Sequence, residues 1–359
     1  MTSALASKKQ NIDPVADSLS EREQEILRLV VQSFIRTADP IGSRFLSRQS
    51  GIGLSAASIR NTMSDLEERG FLDHPYTSAG RVPTERGYRV FVDRLMESKK
   101  LSSVDKTALR KQLEELYGDT EKLLQESSVV LSSLTSLLGI VLTPKLSTGI
   151  LERLEIVKLS SDRAMYIVSV RSGLVRTIVL QSRLEIEKEA LDRVVALLNE
   201  RLAGLTLEEI RTTAKDRVAD LEEEVTGLVQ MTLSEADSIF SEPPEPKRLQ
   251  HGGAHHIIAQ PEFQEPADLR GLIELIEDKN SVVKLIDGSV DAQSVRIVIG
   301  SEVADDFDSD KYSIVTAQYS LGQTVGTIGV IGPTRMDYAR VVSVVEGMAA
   351  VLSNTNPKS

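Results

Sequence analysis

Between Ser20 and Leu95 the sequence spells three capped helices in succession and then a short hairpin, and few folds accept that order. Ser20-Glu21-Arg22-Glu23 reads as a capping box: the Ser20 hydroxyl accepts from the Glu23 amide, and the Glu23 carboxylate reaches back. Ile26, Val30 and Phe34 then recur every fourth residue, flanked by Leu27 and Val31. That pattern predicts a helix with a wide buried stripe, ending near Thr37. Asp39-Pro40-Ile41-Gly42 is a turn. Ser43 is expected to cap a second helix from Arg44 to Gln49, closed by Gly51. Ser55 is expected to cap a third, from Ala56 to Arg69, closed by Gly70 and facing Ile59, Met63 and Leu66 inward. Phe71-Leu72-Asp73 and Arg81-Val82-Pro83 are short strands around the polar turn 74–80. Thr84 then caps a helix that buries Tyr88, Val92 and Leu95 and leaves Arg86, Arg89 and Arg94 solvated.

The third helix presents small side chains with one Arg and one Asn on its outer face: Ala57, Ser58, Arg60, Asn61 and Ser64. Small residues permit close approach to a groove, Arg suits guanine and Asn suits adenine. A solvated basic face on a small helical domain is the plain alternative. Net charge bears on the choice. The whole chain carries −11, which argues against a polyanionic partner, but residues 1–100 hold 15 basic and 13 acidic side chains, leaving 27 basic against 40 acidic in the rest. Between Arg36 and Arg94 the basic residues are nine Arg and no Lys, the type with a rigid fork for phosphate or guanine. Order of elements, Arg usage and the small outer face together favour duplex DNA. The expected DNA-contacting residues are Ser43, Arg44, Ser55, Ala57, Ser58, Arg60, Asn61 and Ser64, with Thr77, Ser78 and Arg81 at the hairpin.

Past residue 100, Leu109, Leu113, Leu116, Leu123, Val130, Leu134 and Leu138 recur at helical spacings, predicting one long amphipathic linker helix, with Gly118 or Ser127-Ser128 as its breaking points. From Leu151 the period changes. Residues 154–159, 164–170 and 174–180 are strands with turns at Ser161-Asp162 and Ser172-Gly173, and 295–299, 312–319 and 324–331 are three more. The economical expectation is one six-stranded α+β domain split by about 115 residues, since three strands alone make a poor sheet. A last helix runs from Met336 to Leu352. The segment between is mainly helical. Val218, Leu221, Val225 and Leu228 form a stripe, continued by Ile239, that is expected to self-associate. A second amphipathic helix spans Asp268 to Glu277.

Leu19-Ser20-Glu21-Arg22-Glu23, Pro40-Ile41-Gly42-Ser43, Ser58-Ile59-Arg60-Asn61, Leu66-Glu67-Glu68-Arg69-Gly70 and, most specifically, Thr77-Ser78-Ala79-Gly80-Arg81-Val82-Pro83-Thr84 resemble the heat-inducible transcription repressor (HrcA) family. Gln260-Pro261-Glu262-Phe263 and residues 329–338 resemble its internal and C-terminal signatures. The resemblance spans nearly the whole chain after residue 17. It implies that the split domain is GAF-like and that the insert is a dimerising domain. The expected fold is therefore α+β: a disordered tail (1–17), a winged helix-turn-helix (18–100), a linker helix with the first part of a GAF-like domain (101–189), an inserted, mainly helical dimerisation domain (190–290) and the second part of the GAF-like domain (291–359). The implied function is repression of chaperone operons from an inverted-repeat (CIRCE) operator bound by a dimer, with GroEL-type chaperonin as the modulating partner in the bacterial cytosol. A small-molecule effector in the GAF-like domain is the alternative form of control.

Other chemistry finds little footing. With no Cys, disulfides, thiolate metal sites and Cys nucleophiles are excluded. His251, His255 and His256 read as part of a polar loop rather than a metal site, and no Ser–His–Asp set can be nominated. Gly322, Gly326, Gly329 and Gly332 match no phosphate-loop spacing and read as turns and sheet packing. Residues 127–144 are uncharged, but five Ser, two Thr and the terminal Pro suit a buried helix and loop, not a membrane span. No enzyme, cofactor or metal is expected.

Overall fold

The computed structural model describes residues 19–49, 51, 53–76, 80–97, 101–116, 118–181, 188–217, 232, 234–242, 247–287, 295–303 and 311–355. The expected tail, Thr77, Ser78 and the stripe Val218, Leu221, Val225 and Leu228 lie outside these residues. Helix and sheet are mixed, as expected for an α+β chain. The chain divides into two compact units. One draws on residues 1–99, 298–313 and 332–342, the other on 100–297, 314–331 and 343–359.

The first unit opens with α1 (Glu21–Thr37), α2 (Ser43–Gln49) and α3 (Ala56–Glu68). The capping box at Ser20 and Glu23 is formed from both sides, and α1 ends where Ala38 turns left-handed. Ile26, Leu27, Val30 and Val31 of α1, Leu46 of α2 and Ile59, Met63 and Leu66 of α3 are all buried. Ser43 is not a cap: it is the first residue of α2, and the Gly42 carbonyl accepts from Phe45 at 3.0 Å. Strands β1 (Leu72–Asp73) and β2 (Val82–Pro83) pair antiparallel. Ile41 joins them, exchanging backbone hydrogen bonds with Arg81 at 2.9 Å in both directions. Residue 80 must be glycine, because a Cβ there would lie 2.5 Å from the Ile41 backbone. Helix α4 (Glu85–Val90) follows, widening into a π turn over Phe91–Leu95.

In the second unit the long linker helix is two helices. Helix α5 (Ser103–Glu114) stops before Gly118, and α6 (Thr120–Thr135) starts on Asp119, so the break falls at the first expected point. Ser127 and Ser128 do not break α6. They are buried in it, and their hydroxyls donate back to the Leu123 and Gln125 carbonyls at 2.7 Å. Leu138 is not helical either: Ser136 turns left-handed, and β3 (Leu138–Leu142) begins.

The expected single six-stranded sheet is corrected to two sheets. Strands β4 (Leu151–Lys158), β5 (Arg163–Val170) and β6 (Val175–Gln181) pair only with one another. Three strands suffice because helices cover one face. Helices α7 (Lys188–Leu202), α8 (Leu207–Arg217) and α9 (Ala236–Phe240) bury Val194, Leu198, Ile210 and Ile239 against Leu154, Tyr166 and Val168. Ile239 is thus a core residue, not part of a self-association stripe. This core also crosses residue 190, where a domain edge was expected.

The larger sheet runs β7-β3-β10-β9-β8, with β7 (Leu249–Gly252), β8 (Arg296–Ile299), β9 (Tyr312–Leu321) and β10 (Thr324–Pro333). Strand β7 comes from the stretch read as a polar loop, and it pairs Gly252 with Gly139 and His251 with Ile140. Helix α6 packs close on this sheet: a Cβ at Gly139 would meet the Ser128 carbonyl oxygen at 2.0 Å. Short α10 (Ala254–Ile258), then α11 (Pro266–Glu277) and α12 (Lys279–Ile286), follow β7, and α13 (Tyr338–Ser353) ends the described chain. Among the four late glycines, Gly322 takes the left-handed turn and Gly326 lies against the Tyr319 ring, which agrees with turns and sheet packing. No helix among the described residues is long and apolar enough to cross a membrane.

Segments 298–303, 311–313 and 332–342, expected in a C-terminal domain, pack on the N-terminal helices. Arg335 donates to the Ile35 carbonyl at 2.7 Å, near the C-terminus of α1. Glu85 accepts from the Ser301 amide at 2.9 Å, and the Tyr88 and Tyr338 rings lie 6.0 Å apart.

Candidate nucleic-acid interface

Eight of the nine arginines from Arg36 to Arg94 fall into two groups; the ninth, Arg94, is exposed but engaged in an interaction. Four are tied to internal partners. Arg69 reaches Glu23 at 2.7 Å, and Arg81 reaches Glu67 at 2.6 Å. Arg86 donates to the Arg69 carbonyl and stacks 4.6 Å from the Phe71 ring centre. Arg89 is paired with Glu302, Nε to Oε1 at 2.9 Å. The expectation that Arg86 and Arg89 stay solvated is therefore corrected: both are partly buried fasteners of the first unit. A second group is exposed, and Arg36, Arg44, Arg48 and Arg60 have no ion-pair or hydrogen-bond partner among the described residues. Three of these four stand on α2 and α3. Charges left uncompensated on neighbouring helices project an attractive field for a polyanion.

Helix α3 supplies the surface they frame. Ile59, Thr62, Met63 and Leu66 are buried, so the helical period turns Ala57, Arg60 and Asn61 to solvent. Ser64 is half-buried at the edge of that face. Ser55 caps the helix, its hydroxyl accepting from the Ser58 amide at 3.1 Å. Ser58 is not free for a base. It is half-buried, and the Arg22 guanidinium donates to its carbonyl at 2.8 Å and to its hydroxyl. Arg22, which sequence reading passed over, thereby fixes the start of α3 against the start of α1. Its position inside the capping box hid a tertiary role 36 residues away.

The Glu67 carboxylate of α3 holds the hairpin. One oxygen takes Arg81 of the return strand; the other contacts His74 Nδ1 beside the turn. Arg81 is half-buried by this, not projected from the tip. Tyr76 is 63% exposed beside the turn and had been given no role. At the base of α1, Glu23 is held below its ordinary carboxylate value. Burial opposes this, but donation from Ser20 and the Arg69 guanidinium outweighs it. Glu67, Asp73 and His74 offer three potential metal-ligand atoms within 4.8 Å, yet Glu67 is already committed to Arg81.

The surface offers forked cations on α2 and α3 and, on one face of α3, an amide side chain and small residues; among the described residues no nucleophile and base are held together there.

Comparison with known proteins identifies the family. The family model "HrcA protein C terminal domain" matches residues 121–342. The chain is 41% identical over 347 residues to the heat-inducible transcription repressor HrcA of Chlorobium phaeobacteroides (strain BS1), covering 94% of this chain and 98% of the relative. It is 42% identical over 348 residues to the protein of the same name from Prosthecochloris aestuarii, covering 94% and 97%. A solved structure described only as a hypothetical protein shares the fold with a TM-score of 0.58 at 20% identity, over 94% of this chain and 99% of that one.

Proposed function

The chain belongs to the HrcA family of heat-inducible transcription repressors, and on that premise we propose that it represses transcription as a homodimer that binds an inverted-repeat operator through α2 and α3. The observation that carries the reading is the placement of partner-free Arg44, Arg48 and Arg60 on those two helices. Residues 19–97 act as a winged helix. Arg60 reads guanine and Asn61 adenine in the major groove, with Ala57 admitting close approach and Ser64 at the margin. Arg44 and Arg48 meet phosphates, with Ser43 and Ser55 at the helix starts where backbone N–H groups face the duplex. Thr77 and Ser78 touch the flanking backbone. Arg81 works differently: through Glu67 it positions the wing on α3.

Two-fold operators call for two-fold proteins. Support for self-association comes from the face of the three-stranded sheet that no described helix covers. Val157, Met165 and Val179 stand in one cross-strand row there, and Val175, at 61% exposed, lies on the same face. The stripe Val218, Leu221, Val225 and Leu228 adds to it. The five-stranded sheet with its helices is the GAF-like body. Following the family, the operator is the CIRCE element of chaperone operons and a GroEL-type chaperonin modulates the repressor in the bacterial cytosol. The named relatives are repressors, and the role is non-enzymatic.

A mobility-shift titration tests this with an intact inverted repeat, a single half-site and a scrambled duplex. The intact repeat should bind at least about a thousandfold tighter than the scrambled one, with the half-site between. Equal affinity for all three refutes the proposal.

A further inference from the structure

The second unit contains a cavity of about 620 Å³, within the size range of small-molecule sites. Its wall comes from β6, from the first turn of α6 and from the residues linking α9 to β7. Leu124, Leu146, Leu174 and Ile178 supply apolar surface. Two guanidiniums line the same space, and each carries a buried donor from which no described residue accepts a hydrogen bond. Arg248 is 3% exposed. Its Nε and Nη2 donate to the Thr143 carbonyl at 3.2 and 2.9 Å, but Nη1 has no hydrogen-bond acceptor, and the Asp287 carboxylate stands 3.7 Å away. Arg176 donates through Nη2 to the Ser238 carbonyl at 2.9 Å and leaves its own Nη1 buried and unmet. A buried donor of a charged group costs stability unless something meets it. Burial also lowers the Arg176 pKa, as expected for a cation short of solvation.

Glu242 and Asp287 pair with Arg248 by charge, at 3.6 and 3.7 Å, but no described carboxylate accepts a hydrogen bond from either Nη1. Glu242 lies between the two arginines, 3.6 Å from Arg248 Nε, but its oxygens accept from the Leu146 and Ser147 amides at 2.9 Å each. Asp119 is occupied as the cap of α6, accepting from the Lys122 amide at 3.0 Å. Lys247 at the rim is exposed and has no partner among the described residues. Glu121, exposed in the first turn of α6, lines the cavity too, so the opening for an anion is local: the two buried Nη1 donors of Arg176 and Arg248, not an excess of positive charge.

We propose that this cavity binds a small organic anion, its carboxylate or phosphate seated on the free edges of Arg176 and Arg248 and its apolar body against Leu124, Leu174 and Ile178. The site is separate from the DNA surface and is measured without DNA, so its failure leaves the operator reading untouched. It gives a place and a chemistry to effector control. Because β6 belongs to the three-stranded sheet and Gln250 to the five-stranded one, a bound anion would join the two cores of this unit.

The test is calorimetric titration of the full chain with octanoate, octyl phosphate, inorganic phosphate and octanol. Octanoate or octyl phosphate should bind saturably at one site per chain. Octanol and inorganic phosphate should each bind about tenfold more weakly or not at all, since one lacks the charge and the other the apolar body. Arg176→Met should weaken the anion about tenfold with an unchanged circular dichroism spectrum, and Arg248→Lys should do the same if the fold tolerates it. No saturable binding of either anionic probe overturns the proposal. So does equal binding of octanol, equal binding of inorganic phosphate, or unchanged affinity in a folded Arg176→Met.

Discussion

Replacing Arg60 by alanine isolates base recognition from folding. Arg60 is exposed on α3 and has no partner among the described residues, so its removal breaks no internal bond. Thermal stability should stay within about 0.5 kcal/mol of the parent, the usual range for a surface change. The whole penalty then falls on the complex. A bidentate Arg–guanine contact discriminates by about 1–3 kcal/mol, which is roughly 5- to 150-fold per half-site. Two protomers lose it together, so the intact operator should lose about 2–6 kcal/mol if both half-sites are engaged. Scrambled duplex keeps its phosphate contacts and loses only the share due to one charge per protomer. Fluorescence anisotropy on intact and scrambled duplexes, at two salt concentrations, reads both numbers. Equal losses on the two duplexes would mean that Arg60 contributes charge alone, and the assignment of α3 as the reading helix would fail.

Three further outcomes follow from the same geometry. Arg44→Ala with Arg48→Ala should flatten the plot of log affinity against log salt by about two per protomer, for specific and scrambled duplex alike; an unchanged slope removes both from the phosphate contacts. Gly80→Ala places a methyl 2.5 Å from the Ile41 backbone and should lower stability by a few kcal/mol, read as a fall in melting temperature; a parent-like melt would show that the hairpin yields easily. Glu23, held below its ordinary pKa, adds stability that is complete above the unfolded carboxylate value and lost as pH falls through the folded one. Arg69→Ala should therefore reduce the acid-side loss in a pH series of denaturant melts, and an identical pH profile would contradict the pairing.

Local signals were legible and distant partners were not. The capping box at Ser20, the cap at Ser55 and the inward stripe Ile59, Met63 and Leu66 all stand as read, because each depends on residues within two turns of helix. Strand β3 was hidden because Leu134 and Leu138 continue a helical spacing, and only the left-handed Ser136 stops it. Strand β7 is four residues long and holds His and Gly, so no period of two could announce it. The six strands were found, but their partition into two sheets depends on pairing across long separations, to which local periodicity is blind. The same limit applies to the candidate interface. Arg81 and Arg89 look like Arg60 in sequence; their difference lies in Glu67 and Glu302, the second of which is 213 residues away. Partner geometry thus narrows nine equivalent arginines to a few that can face DNA.

The absence of cysteine makes the most direct test a clean one, since a single introduced thiol can carry a DNA-cleaving iron chelate. Glu68→Cys places it on an exposed position at the far end of α3. The tethered chelate should cut an inverted-repeat duplex at two positions, one within each half-site. No cleavage within the half-sites from Glu68→Cys, in a complex that still forms, would contradict the claim that α3 meets the operator.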